Sequence, residues 1–166
     1  MILIVAGVAG SGKTTIGKLI AGELGWEFAD GDDFHSAASI AKMRSGKPLT
    51  DADRFPWLAA IGDWMDDQLA AGRSAVVACS GLARRYREAL LAGREAAQIV
   101  FLEVSREEAF LRLHSRHGHF FGEQMVASQF AELEAPQPAE QRTLPMPSDR
   151  SPQELADHII SVLGLR

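Results

Sequence analysis

Residues 7–15 read G-V-A-G-S-G-K-T-T and match G-x-x-x-x-G-K-[ST], with Gly7, Gly12, Lys13 and Thr14 at the fixed positions. Glycines let the backbone curl until successive N–H groups converge on phosphate oxygens, an approach that a Cβ would block. In such a loop the lysine reaches the β- and γ-phosphates and the hydroxyl after it sits on Mg²⁺. The flanks agree. Ile2, Leu3, Ile4 and Val5 form an unbroken apolar run, as a strand buried on both faces requires. Beyond the loop Ile16, Leu19, Ile20 and Leu24 recur at helical spacing, and Gly25 supplies a stop. A strand, a glycine loop and a helix N-terminus make an anion site. Gly7, Gly10, Ser11, Gly12, Lys13, Thr14 and Thr15 are therefore the expected nucleotide contacts, and ATP with Mg²⁺ the expected ligand.

At 166 residues the chain is expected to form one domain over 1–166. Its 17 basic and 22 acidic residues give a net charge of −5, which argues against a nucleic-acid surface. The single cysteine, Cys79, permits no intrachain disulfide and suits a reducing compartment. No apolar run approaches a membrane span, and the first one is broken by the phosphate loop, so a cytoplasmic protein without membrane partners is expected.

Further apolar runs at 26–29, 74–79 and 98–104 read as buried strands. Between them Trp57, Ile61, Trp64, Met65 and Gln68 share one helical face, and Phe110, Leu113 and His117 another. Ser105 with Glu108 and Ser151 with Glu154 are capping boxes, the second with Pro152 at the first helical position; Leu155, Ile159, Val162 and Leu163 line the last helix. A fifth strand is expected near 141–144, cut short by Pro145 and Pro147. Alternating strands and helices predict an α/β fold, a three-layer parallel sheet of about five strands.

Directly after the second strand comes D-G-D-D-F-H at 30–35. Ligands of parallel sheets collect beyond the carboxyl ends of the strands, so these carboxylates should stand beside the phosphate loop. Two acids around a glycine can divide the work of holding Mg²⁺ and accepting the proton of an attacking hydroxyl.

The block K-M-x-x-G-x-P-L-x-D-x-D-R-x-P-W-L at 42–58 follows, then C-S-G-L-A-R-R-Y-R-E at 79–88, R-H-G-H-F-F at 116–121 and S-Q-F-A-E-L-E-A-P at 128–136. Together with the 30–35 turn, these resemble the gluconate kinases (gluconokinases) over residues 2–136. The resemblance implies transfer of the γ-phosphate of ATP to the 6-hydroxyl of D-gluconate, a fold like the nucleoside monophosphate kinases with a helical lid at about 106–135, and a homodimer. It implies Asp32 as the group that orients and deprotonates the substrate hydroxyl, Asp30 with Thr14 in the Mg²⁺ shell, and Arg54 and Arg87 on the substrate. A sugar acid offers hydroxyls and a carboxylate, so bidentate donors and acceptors suit its pocket. His35, Lys42, Arg44, Arg54 and Arg87 supply donors there, and Asp32 and Asp33 acceptors. Ser80, after the third strand, and His119 complete the expected substrate contacts. The family usually has alanine and lysine where this chain has Gly81 and Ala83, so the contact there is open, with Arg84 or Arg85 as substitutes.

Arg112 and Arg116 stand four apart on one helix that leads into 117–121, a hinge and lid tip. An arginine closing over the transferring phosphoryl oxygens would stabilise their charge; Arg116 matches the family pattern better than Arg112. His114, His117 and His119 lack the companion ligands of a zinc site. Backbone near 147–150 is the expected frame for the adenine base. Another small-metabolite kinase of shikimate-kinase type, or a non-catalytic ATP sensor, could be built on the same loop.

Overall fold

Every residue of β1 (Ile2–Ala6) is buried, and alternate side chains feed opposite faces of a parallel sheet. The computed structural model describes residues 1–117 and 119–166, with side chains at 1–115 and 123–166. Among these residues the sheet has five strands: β1, β2 (Glu27–Asp30), β3 (Ala75–Ala78), β4 (Ala97–Glu103) and β5 (Thr143–Pro147), in the order β2-β3-β1-β4-β5. On one face Ile2, Ile4, Val77 and Ile99 pack against Trp57, Ile61, Met65, Tyr86 and Leu90. These last come from α3 (Asp51–Ala70) and α4 (Arg84–Leu91). On the other face Leu3, Val5, Val76 and Val100 meet α1 (Lys13–Leu24) and α7 (Pro152–Leu163). A third cluster joins Val8 of the phosphate loop and Leu82 to Ala109, Leu113 and Val126, on α5 (Arg106–His117) and α6 (His119–Glu132). Among the described residues no helix is long and apolar enough to cross a membrane.

The strand boundaries differ by one residue from the expected runs, except at β5. There both prolines lie inside the strand. Parity explains it. Ile99 donates to the Arg142 carbonyl and Ser148 donates to the Glu103 carbonyl, so even-numbered backbone groups of β5 face β4. The Thr143 N–H points away, to Glu140. Pro145 and Pro147 share its parity on an edge strand, where a missing donor breaks no ladder bond.

Capping was read in part. Ser151 and Glu154 form the full box. Glu108 donates its N–H to Ser105 at 3.1 Å but turns its carboxylate to Arg112 instead of closing the second half. A complete box at Thr50–Asp53 starts α3.

The register brings the strand ends level: Val5 and Asp30 both lie opposite Ala78. The loop after β1, the turn after β2 and Cys79–Ser80 after β3 therefore open on one edge of the sheet.

Candidate active site

The phosphate loop is packed to its limit. At Gly7, with φ 142°, a Cβ would stand 2.7 Å from Ser11 Oγ and 2.8 Å from the Leu102 carbonyl. The Gly7 N–H donates to the Ser80 carbonyl at 3.0 Å, tying the loop to the end of β3. Ser11 is fully buried. Lys13 Nζ donates to the Val8 carbonyl at 3.1 Å, across the mouth of the loop. Burial lowers the pKa of Lys13, with Asp32, Cys79 and Asp30 pulling the other way. Lys13, Thr14 and Thr15 open α1, so the helix N-terminus and its free N–H groups face the same space.

The 30–35 turn meets this loop directly. Thr14 Oγ1 donates to Asp30 Oδ2 at 3.0 Å, and Asp30 Oδ1 accepts the Asp32 N–H at 3.0 Å. Asp30 thus joins the hydroxyl expected on Mg²⁺ to a 3₁₀ turn, Gly31–Phe34, that carries Asp32. Gly31 is a tight fit: a Cβ would come 2.5 Å from the Ala78 carbonyl. The Asp32 side chain is 88% exposed at the mouth of the cleft, open to an incoming group. Although the carboxylate meets solvent, the protein packed around the turn thins its hydration and raises its pKa; Asp30 adds to this, and Lys13 and His35 oppose it. The His35 side chain is only 6% exposed, with Nε2 3.9 Å from Asp32 and Nδ1 buried without a protein partner. Burial lowers its pKa; Asp32 opposes this and Arg54 adds to it. Asp33 is exposed on the same turn.

Of the expected substrate donors on other elements, Arg54 is close enough to His35 to lower its pKa. Its guanidinium donates to Tyr86 Oη (3.0 Å) and Glu132 Oε1 (2.8 Å), so the acceptor side of the cleft is linked to the end of α6. Three expectations need correction. Arg87 does not face the cleft: its side chain is 1% exposed, forked onto Glu140 at 2.7 and 2.9 Å and donating to the Gly81 and Leu82 carbonyls. It fixes the segment after β3 from beneath. Lys42, on α2 (Ala37–Arg44), is spent on Asp53 at 2.6 Å. That contact, with the Thr50 N–H, holds Asp53 down to about 2, making Lys42 a strut between α2 and the start of α3. Arg112 is not a free arginine above the loop. It donates to the Gly10 and Ser11 carbonyls (3.3 and 3.4 Å) and to Ser148 Oγ and carbonyl (3.0 and 2.7 Å), bracing the loop against the segment after β5. Ser148 Oγ in turn donates to the Ser11 carbonyl.

The side chains of Arg116, His117 and His119 lie outside the described residues. Ala83 is buried at the start of α4, while Arg84 pairs with Glu88 and Arg85 with Asp51, Arg85 also donating to Tyr86 Oη, the hydroxyl that Arg54 reaches. Cys79 is buried and its thiol is pushed up to about 12, first by burial, which removes it as a nucleophile.

Two residues escaped sequence reasoning. Gln129 Oε1 accepts the Ala9 N–H at 2.9 Å, tying α6 to the phosphate loop across 120 residues. Its signal was the S-Q-F at 128–130, without an assigned role. Trp57, expected as packing, also donates its indole N–H to the Gly31 carbonyl at 2.7 Å.

Comparison with known proteins bears on the same features. The shikimate kinase family pattern matches residues 9–164. A curated gluconokinase of Gluconobacter oxydans is 46% identical over 134 residues, covering 81% of this chain and 75% of the relative. The chain belongs to the gluconokinase family. Two solved structures share its architecture closely. A gluconokinase from Sinorhizobium meliloti superposes with a TM-score of 0.86 at 38% identity, over 98% of this chain and 91% of its own. A sugar kinase from Janibacter superposes at 0.89 with 40% identity, over 98% and 94%. As a gluconokinase-family member the chain is a phosphotransferase on a nucleotide-binding P-loop fold.

Proposed function

We propose that the chain transfers the γ-phosphate of ATP to the 6-hydroxyl of D-gluconate, giving 6-phosphogluconate and ADP. The observation that carries this reading is the bond from Thr14 to Asp30, which sets Asp32 beside the phosphate loop. The gluconate assignment rests on the named relatives and on the 42–58 block.

Loop N–H groups and the α1 N-terminus hold the triphosphate, and Lys13 swings from the Val8 carbonyl onto the β- and γ-oxygens. Thr14 and Asp30 are hard oxygen donors in contact, a fit for hydrated Mg²⁺, which would supply charge neutralisation on the phosphates. Asp32 accepts the proton as the hydroxyl oxygen bonds to phosphorus, and the bond to the β–γ bridging oxygen breaks with its electron pair leaving on ADP. His35 and Arg54 hold the rest of the sugar acid, Arg54 exchanging its Glu132 partner for the substrate carboxylate. A lid role for the α5–α6 pair, stabilisation of the transferring group by Arg116 and a homodimer belong to the same proposal; light scattering reads the last.

Coupled ADP release with gluconate, shikimate, nucleoside monophosphates and other sugar acids tests the acceptor. Turnover with gluconate well above every other acceptor is expected; turnover with shikimate alone would overturn the assignment. Lys13→Ala is expected to lower kcat by about 10²–10³-fold, the cost of one preorganised donor to developing charge, and to weaken nucleotide binding as well. Retained kcat in a folded variant would contradict its placement.

A further inference from the structure

We infer that Trp57 is a positioning residue for phosphoryl transfer, holding both Asp32 and His35 through one indole. The inference rests on Asp32 being the proton acceptor.

The turn that carries Asp32 is weak by itself. It spans four residues, and its closing bond, from the His35 N–H to the Asp32 carbonyl, is long at 3.4 Å. Its position must come from outside, and three contacts supply it. Asp30 accepts the Asp32 N–H, and Gly31 lies hard against the Ala78 carbonyl. Both of these come from the sheet. The third is the 2.7 Å bond from Trp57 Nε1 to the Gly31 carbonyl, which reaches the turn from α3, the helix that also carries Arg54.

The same indole fixes His35. The two rings stack with centroids 4.3 Å apart and planes 13° from parallel. This ring has no protein bond at Nδ1 and only a 3.9 Å approach to Asp32 at Nε2. With no protein hydrogen bond to fix it, the imidazole is held in one orientation by the stack. Trp57 is itself only 7% exposed, so it is rigid and has no direct route to the ligand. It acts through the two residues it holds.

The decisive variant replaces Trp57 with benzothienylalanine, whose sulfur stands where the indole N–H was while size and stacking are retained. kcat is expected to fall about tenfold or more, since displacement of reacting groups by about 1 Å can cost 10²-fold. The KM for ATP should stay within about twofold and the melting temperature should hold. Trp57→Phe, which also reduces the stack, should lose kcat further and raise the KM for the acceptor. Trp26→Phe, on the opposite face of the sheet, should leave kcat unchanged. Wild-type kcat in the benzothienylalanine protein would overturn the inference, and so would a parallel loss of ATP affinity and melting temperature, the mark of ordinary packing. All variants are assayed with whichever acceptor the unmodified enzyme phosphorylates, so a wrong acceptor shows in that enzyme alone. A wrong proton acceptor shows separately, as an Asp32→Asn protein with full kcat.

Discussion

Asp32→Asn is expected to lower kcat by about 10²–10⁴-fold while nucleotide binding is preserved. The carboxylate stands on a turn fixed by Asp30, Gly31 and Trp57, so an isosteric amide keeps the geometry and removes only the proton acceptor. Calorimetric titration with a non-hydrolysable ATP analogue checks the binding, and single-turnover rates check the chemistry. The raised pKa of Asp32, caused first by lost hydration and then by Asp30, adds a pH signature. The base is loaded only above a pKa higher than the ordinary value of about 3.9, so the acid limb of kcat/KM should lie above that value and activity should fall as pH drops through it. The sign for stability is opposite to the usual carboxylate. A group that binds its proton more tightly when folded favours folding below its folded pKa and opposes folding above it. Asp32→Asn should therefore be at least as stable as the parent at neutral pH. Full activity in this variant would remove Asp32 from the chemistry.

Arg87→Met carries the largest expected structural effect. Arg87 and Glu140 are 1% and 6% exposed and joined by two bonds, and the guanidinium also satisfies the Gly81 and Leu82 carbonyls. Removing one partner strands a buried carboxylate, a loss of about 3–5 kcal/mol. At roughly 2–4 °C per kcal/mol for a chain of this length, melting should fall by about 6–20 °C. Arg87→Met with Glu140→Leu should recover much of the loss, because an apolar pair of similar volume carries no stranded charge. Arg87 holds Glu140 below the usual carboxylate range. Its contribution is thus complete above the unfolded pKa of about 4.3 and is lost as pH falls through the folded value, so the gap between parent and single variant should close in acid. A melting point unchanged by Arg87→Met would return Arg87 to the surface role its charge suggests.

These two residues show what a sequence displays and what it hides. The phosphate loop, β1 and α1 were legible because their requirements are local: glycines where a Cβ cannot fit, an unbroken apolar run, helical spacing after Lys13. The 30–35 turn was legible because it follows a strand in a parallel sheet, and strand ends meet. Arg87, Lys42 and Arg112 were misplaced because an arginine or lysine looks the same whether it greets a ligand or a buried partner. Glu140 lies 53 residues from Arg87, and Gln129 lies 120 from Ala9. Trp57 was read by bulk, though its one polar atom places the turn. The prolines of β5 suggested an early end because strand parity is invisible until the edge and its neighbour are known.

The most direct measurement is a crystal structure with D-gluconate and a non-hydrolysable ATP analogue bound. The 6-hydroxyl should lie within about 3.2 Å of the Asp32 carboxylate, in line with the γ-phosphorus, with the gluconate carboxylate towards Arg54. Gluconate bound the other way round, its carboxylate at the phosphate loop, or bound outside the cleft between the 30–35 turn and α3, would contradict the assignment of Asp32 and of the acceptor together.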